Sequence, residues 1–412
     1  MAPRLKHPAQ PLIPFKTERL YGLAVSPLPP NFTLLQVTPE LETGGAEQTT
    51  LDIAAAVVRA GGRALVASRG GRMAQPLAQV GGELKPMPAQ SKNPLVMAAN
   101  AVRLSRIIRA EGVSLIHARS RAPAFSALWA ARATRTPFIA TYHGVYESHN
   151  ALKRWYNAVM TRGALTIANS AYTRDHVIAE HHLAPERVVA IDRGIDLERF
   201  DPDHVAPDRI GALRTTWGLS PDDERVKILL AGRLTRWKGQ ALAIEAAARV
   251  RAAGVQGFVL LLAGDEQGRS DYRAELQAGI ARRGLGEVVK LVGHCADMPA
   301  AYLLADLALV PSLKPEPFGR TAVEPQVMGR PVLAADHGAM RETVLPGQTG
   351  WLVKPGDPAA WAEALQAAIG LAPAQRQTMG AAARARATRL YSAQAMGEAT
   401  LAVYAQLLEK RA

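Results

Sequence analysis

From about residue 31 onward, short apolar runs alternate with segments whose apolar residues recur three and four apart. This is the pattern of parallel strands wrapped by helices. The spacing predicts strands at Leu34–Thr38, Ala64–Ser68, Val113–Ala118, Phe138–Tyr142, Leu165–Asn169 and Val188–Asp192, with helices such as Glu47–Ala60 and Val96–Ala110 between them. From Arg193-Gly194-Ile195-Asp196 to Phe200-Asp201-Pro202-Asp203 the periodicity is lost and Gly, Pro and Asp punctuate the chain, which suits a linker. The alternation resumes at Lys227–Ala231, Phe258–Ala263, Val288–Val292, Leu307–Val310 and Pro331–Ala334, and the chain from Pro373 onward reads as helix. The class is α/β, with two doubly wound units. The expected organisation is an irregular extension over 1–30, a first unit over 31–200, a second over 201–385, and a terminal helix over 386–412 that packs back on the first unit. Open α/β sheets bind ligands at the carboxyl ends of their strands, so the site is expected in the cleft between the units.

A length of 412 residues exceeds one ordinary core, since domains hold roughly 150 residues. The 48% hydrophobic and 21% charged composition fits a folded globular chain. Cys295 is the only cysteine, which excludes an intrachain disulfide and a cysteine-based zinc cluster and fits a reducing compartment. Apolar runs have strand length, too short to span a bilayer, and residues 1–30 lack the apolar stretch of a secretory signal. These features imply a cytoplasmic location. Of the net charge of +13, most lies in residues 1–200, with 24 Lys and Arg against 14 Asp and Glu. That bias attracts anionic membranes, nucleic acid or anionic substrates alike, and its sign does not choose among them.

Two constellations carry chemistry. The strand Lys227–Ala231 runs into Gly232-Arg233-Leu234-Thr235-Arg236-Trp237-Lys238-Gly239, ahead of a helix. Two cations, Arg233 and Lys238, at a strand–loop–helix junction suit a diphosphate, because a helix N-terminus adds free N–H groups and a positive dipole end. Two solvated loop cations would read the same way, and the loop is no Walker P-loop. The second constellation is Glu316-Pro317-Phe318-Gly319-Arg320-Thr321-Ala322-Val323-Glu324. Its carboxylates are eight residues apart, too far to act on one atom but suited to separate hydroxyls of one long ligand. Favourable acids in a helix's first turn are the plainer alternative for either one.

Together with Gly329-Arg330-Pro331-Val332, Glu342, Gly347, Thr349-Gly350 and Leu352-Val353…Gly356-Asp357, these motifs resemble the retaining glycosyltransferases of family 4 over roughly residues 31–370. The resemblance implies a GT-B fold of two Rossmann-like domains that enclose a nucleotide-sugar. By position, Arg233 and Lys238 would bind the donor diphosphate and Glu324 the ribose. Glu316 would face the transferred sugar, with Phe318 and Gly319 offering backbone N–H groups, while Gly293 and His294 would line the base. Gly44 and Gly45, in Thr43-Gly44-Gly45-Ala46-Glu47, match a family loop that approaches the donor phosphate, and His143, in Thr141-Tyr142-His143-Gly144, matches a histidine near the reacting sugar. An ordinary turn and a structural histidine are the alternatives. One departure stands out: where the family often has two glycines, this chain reads Gly338-Ala339.

The implied reaction moves a hexose-type sugar from a nucleotide diphosphate to an acceptor hydroxyl with retention, with Glu316 and His143 at the sugar and no covalent nucleophile. Electrostatic stabilisation of the leaving diphosphate needs no metal or other cofactor. The only Asp-x-Asp string, Asp201-Pro202-Asp203, falls in the linker. The segment from Lys153-Arg154-Trp155-Tyr156 to Gly163 resembles family members that build lipopolysaccharide core or other surface glycans, so a lipid-linked or surface-glycan acceptor is expected. With Arg103, Arg106 and Arg109 it would form a basic face toward an anionic membrane, although the same residues would equally suit a helix packed on the core. The competing readings are a nucleotide-sugar epimerase of the same architecture, or a basic membrane- or nucleic-acid-binding protein without catalysis. No nucleic-acid-reading motif is present, so no nucleic-acid partner is expected.

Overall fold

The computed structural model describes residues 28–409 except 43, 44, 147, 149, 267 and 269. The first lobe is a seven-stranded parallel sheet in the order β3-β2-β1-β4-β5-β6-β7. Its strands are β1 (Thr33–Val37), β2 (Arg63–Ser68), β3 (Glu83–Pro86), β4 (Leu115–Ala118), β5 (Phe138–Tyr142), β6 (Leu165–Ala168) and β7 (Val188–Ala190). The second lobe is a six-stranded parallel sheet, β10-β9-β8-β11-β12-β13. It contains β8 (Val226–Ala231), β9 (Phe258–Ala263), β10 (Val289–Gly293), β11 (Leu307–Val310), β12 (Val332–Ala335) and β13 (Gly350–Val353). Helices cover both faces of each sheet, so inner strands such as β1 and β9 are buried along their whole length.

In both sheets the strand order reverses beside the first strand: β1 lies between β2 and β4, and β8 between β9 and β11. The loops leaving β1, β5, β8 and β11 therefore reach the carboxyl edges that face each other across the cleft.

The stretch expected to be a linker does connect the two lobes, between β7 and β8, and it is packed. Ile195, Phe200 and Val205 are buried in the second lobe's core, and Ile195 bridges Ser392 through backbone hydrogen bonds with Tyr391 and Ala393. The terminal helical region is two helices, Pro373–Leu390 and Ala393–Glu409, broken at Tyr391 and Ser392. The second crosses back onto helix Gly45–Arg59 of the first lobe, where Tyr404 is buried with its hydroxyl 2.6 Å from His117 Nδ1. A Cβ at Gly397 would lie 2.9 Å from the Ala56 methyl, so glycine permits that helix crossing.

Candidate active site

The cleft between the lobes encloses about 830 Å³. The second lobe supplies most of its polar wall. After β8 the chain passes through Gly232–Thr235 and a single 3₁₀ turn, Arg236–Lys238, before helix Gln240–Ala252 begins at Gly239, whose φ of 78° suits glycine. This path brings Arg233 and Lys238 into the same cleft wall.

After β11, the loop carrying Glu316 closes against them. Glu316 Oε1 accepts from Lys238 Nζ at 2.5 Å and from Ser312 Oγ at 2.6 Å. Only 6% of Glu316 is exposed, so its carboxylate is fixed in the wall by two donors and has its second oxygen to offer a ligand. The Trp237 ring lies 4.5 Å from the same ammonium. Phe318 turns its ring into the core, 5.6 Å from Tyr391, which leaves its backbone to meet a ligand. Gly319, with φ 84°, starts helix Arg320–Val327, and a Cβ there would collide with the Met340 methyl.

One turn into that helix, Glu324 is buried, with Oε1 accepting from Arg320 Nε at 2.9 Å and Oε2 from the Tyr302 hydroxyl at 3.2 Å. Each carboxylate oxygen thus keeps a lone pair for a ligand hydroxyl while its orientation is set by a neighbour. Both partners line the cleft. His294, Cys295 and Ala296, following β10, form a further stretch of wall, whereas Gly293 ends the strand and is not on the cleft surface.

The substitution of alanine at 339 is accommodated. Gly338 has φ 59°, and a Cβ there would sit 2.7 Å from the Glu316 carbonyl oxygen, so glycine is needed at that position. Ala339 is buried and its N–H donates to the same carbonyl at 3.0 Å, which any residue could do.

From the first lobe, His143 follows β5 and reaches the cleft. Its Nδ1 accepts from Arg193 Nη2 at 2.9 Å, which assigns the proton to Nε2. Burial, then Arg193 and Arg119, holds its pKa well below the ordinary histidine value. The imidazole is therefore neutral, and its Nε2–H is buried without a partner among the described residues. Gly44 lies outside the described residues. Gly45 lines the cleft, but what approaches it is protein: a Cβ there would run into Arg193 Nη1.

Arg193 is the principal residue missed by reading the sequence. It lies in the expected linker and is held at the carboxyl edge of the first sheet, on the cleft wall, with its pKa lowered to about 10 by burial and by neighbouring cations. Its position just after β7 was the available signal. Arg320, Tyr302 and Ser312 were also unread, because their roles come from contacts with Glu324 and Glu316 across the fold. Among the described residues no group of three or more His, Cys, Asp or Glu side chains is arranged to hold a metal ion, and no helix is long and apolar enough to cross a membrane.

The segment at 153–163 has two faces. Trp155 is 53% exposed beside Lys153 and Arg154, whereas Asn157, Val159 and Met160 are buried. Leu95, Val102, Trp129 and Leu152 are exposed on the same helix and its first-lobe neighbours, and the Trp129, Trp155 and Tyr156 rings all meet Phe125.

Two family models match the chain: "Glycosyltransferase Family 4" over residues 43–199 and "Glycosyl transferases group 1" over 216–386. Among curated proteins it is 36% identical over 262 residues to D-inositol 3-phosphate glycosyltransferase 1 of Catenulispora acidiphila, covering 61% of this chain and 60% of that protein. The chain spans about half of other relatives of that name, such as 50% of the one from Jonesia denitrificans. A glycosyltransferase structure from Rickettsia africae superposes with a TM-score of 0.84 at 28% identity, covering 93% of this chain and 100% of that one. Anabaena HepE in complex with UDP-glucose gives 0.77 at 26% identity over 92% and 100%. The lipopolysaccharide galactosyltransferase WaaB, at 15% identity and a TM-score of 0.70, shares the fold.

Proposed function

The chain belongs to the GT-B glycosyltransferases, with a family 4 domain ahead of a group 1 domain, and on that premise we propose that it transfers a hexose-type sugar from a nucleotide-diphosphate sugar to an acceptor hydroxyl with retention of configuration. The observation that carries this reading is the convergence of Arg233, Lys238, Glu316, Gly319 and Glu324 from one lobe with His143 from the other on a single cleft.

Arg233 and Lys238 bind the diphosphate and offset the negative charge it gains as the glycosidic bond breaks. Lys238 has three N–H donors, of which Glu316 takes one, so the same ammonium links leaving group and sugar wall. Glu324 accepts from the ribose hydroxyls, held for that purpose by Arg320 and Tyr302. Backbone N–H groups at Phe318 and Gly319 and the free oxygen of Glu316 meet the sugar. His143 Nε2–H donates to a sugar hydroxyl; a ring kept neutral with that proton in place is a poor base, so it positions rather than deprotonates. The acceptor proton passes to a departing phosphate oxygen, and the reaction requires no metal. His294 approaches the base, and Gly45 lies near the donor phosphate with Arg193 behind it. HepE, whose structure holds UDP-glucose, supports the donor class.

For the acceptor we propose a lipid-linked or surface-glycan hydroxyl. The exposed Leu95, Val102, Trp129, Leu152 and Trp155 and the exposed Arg103, Arg106, Lys153 and Arg154, all on first-lobe helices, suit an anionic membrane surface. A phosphorylated polyol is the second reading, favoured by the name of the curated relatives.

The test is a thermal-shift screen of UDP-, GDP- and ADP-sugars, followed by turnover of the stabilising donor with lipid-linked glycan and with D-inositol 3-phosphate, reading the product anomer by proton NMR. A product of inverted configuration, or epimerised donor without transfer, would contradict the reading.

A further inference from the structure

The amino end of first-lobe helix Ala171–His181 docks on the second lobe, and every bond it makes there meets either the sugar loop or the short helix behind it. Ala171 N–H and Tyr172 N–H donate to the two carboxylate oxygens of Glu342 at 2.9 and 2.6 Å. Ser170 accepts from Thr173 N at 3.0 Å as the helix cap, so the first three helical N–H groups are all satisfied, two of them from across the cleft. The Ser170 hydroxyl also donates to the Pro317 carbonyl at 2.5 Å, and Thr173 Oγ1 donates to the same oxygen at 3.1 Å.

Pro317 is the residue between Glu316 and Phe318. Its loop and the helix Met340–Thr343 are knitted into one body, since Ala339 N–H donates to the Glu316 carbonyl and Met340 packs on Gly319. Arg386 Nη2 and the Tyr391 hydroxyl then hold the Glu342 carbonyl from behind, at 2.7 and 3.1 Å.

We propose that Ser170, Thr173 and Glu342 form an interlobe latch that positions the Glu316–Gly319 loop, so that the sugar-binding wall takes its working shape only when the lobes are closed. The helix end contributes a positive dipole and free N–H groups, for which a carboxylate is the complementary partner. Opening the cleft breaks all four bonds together and releases the Pro317 carbonyl. The diphosphate and ribose groups Arg233, Lys238 and Glu324 belong to the second lobe alone and make no bond to the first; of them only Lys238 touches the latched loop, through Glu316. The kinetic part of this inference rests on the proposed transfer reaction; its structural part does not.

The test uses the full chain with Glu342→Gln, Ser170→Ala and Thr173→Val, and Ser170→Thr as the conservative rescue. Small-angle scattering of the unliganded protein should give a larger radius of gyration for Glu342→Gln and Ser170→Ala than for wild type. Calorimetry with UDP, GDP and ADP should leave the preferred nucleotide's affinity within about twofold, while kcat/KM for its sugar falls at least about tenfold through misplacement of the loop. Ser170→Thr should behave as wild type. Unchanged scattering and unchanged kcat/KM in both Glu342→Gln and Ser170→Ala would overturn the latch, as would a loss of nucleotide affinity equal to the loss of rate. A wild-type protein that uses no nucleotide-sugar would refute the transferase reading, and scattering would still decide the latch.

Discussion

Replacing Lys238 by methionine separates what the Lys238–Glu316 pair does for the fold from what it does for chemistry. Its groups lie 2.5 Å apart, with side chains only 11% and 8% exposed. Removing the ammonium leaves a buried carboxylate with Ser312 as its remaining side-chain donor. Breaking a buried pair costs about 3–5 kcal/mol, and the retained hydroxyl places this case near the lower end, at about 3. For a unit of this size that corresponds to a fall of roughly 6–12 °C in the second lobe's midpoint. Lys238→Met/Glu316→Gln should recover most of the lost stability, with a coupling energy of about 2 kcal/mol. Both variants should lose about 10²–10³-fold in transfer rate, because the cation proposed to meet the leaving diphosphate is absent from both. Calorimetric melts of the three proteins, with a donor-turnover assay, read all of these quantities. A deficit of about 1 kcal/mol or less, the size expected of an exposed pair, or a double variant no more stable than Lys238→Met, would contradict this reading of the pair.

Glu324→Ala should weaken nucleotide-sugar binding by about 1–3 kcal/mol, the cost of losing charged hydrogen bonds, and unchanged calorimetric affinity would reject the ribose role. Asp192 has its carboxyl pushed up to about 7 by burial and by the nearby Glu342 charge. The native state therefore binds its proton more tightly than the unfolded chain, and this group's contribution to stability declines as pH rises from about 4 to about 7. Asp192→Asn should raise the melting temperature at pH 8 and leave it unchanged at pH 4; the reverse order would contradict the assignment. Chelator should leave turnover intact, and a loss restored only by Mg²⁺ or Mn²⁺ would reject the metal-independent mechanism.

The sheets were legible in the sequence because buried parallel strands are continuous apolar runs. β8, β9 and β11 lie within a residue of their expected bounds. β3 was missed: Glu83 and Lys85 alternate with apolar neighbours on a short edge strand, which carries little hydrophobic signal. β13 was missed because its Gly350-Trp351-Leu352-Val353 run is brief and follows a turn. The linker lies where it was expected, between β7 and β8, but its packing was not legible. Its Gly and Asp residues mark turns, whereas Ile195 and Phe200 face a core that only tertiary contact defines. The site followed the same division. Residues borne on strand–loop–helix motifs, such as Lys238 and Glu316, could be named in advance. Those whose part is to orient another side chain, such as Tyr302 on Glu324 or Arg193 on His143, required the fold. Even for Lys238 and Glu316 the sequence assigned separate tasks, one for phosphate and one for sugar, whereas the folded chain joins them as an ion pair.

The most direct examination of the central claim is a crystal structure of the protein with an unhydrolysed nucleotide-sugar, chosen by the thermal-shift screen. The diphosphate should lie within about 3.2 Å of Arg233 and Lys238 donors, the ribose hydroxyls on Glu324, and the sugar between Glu316 and His143 Nε2. A diphosphate bound away from both cations, or a ribose turned from Glu324, would contradict it.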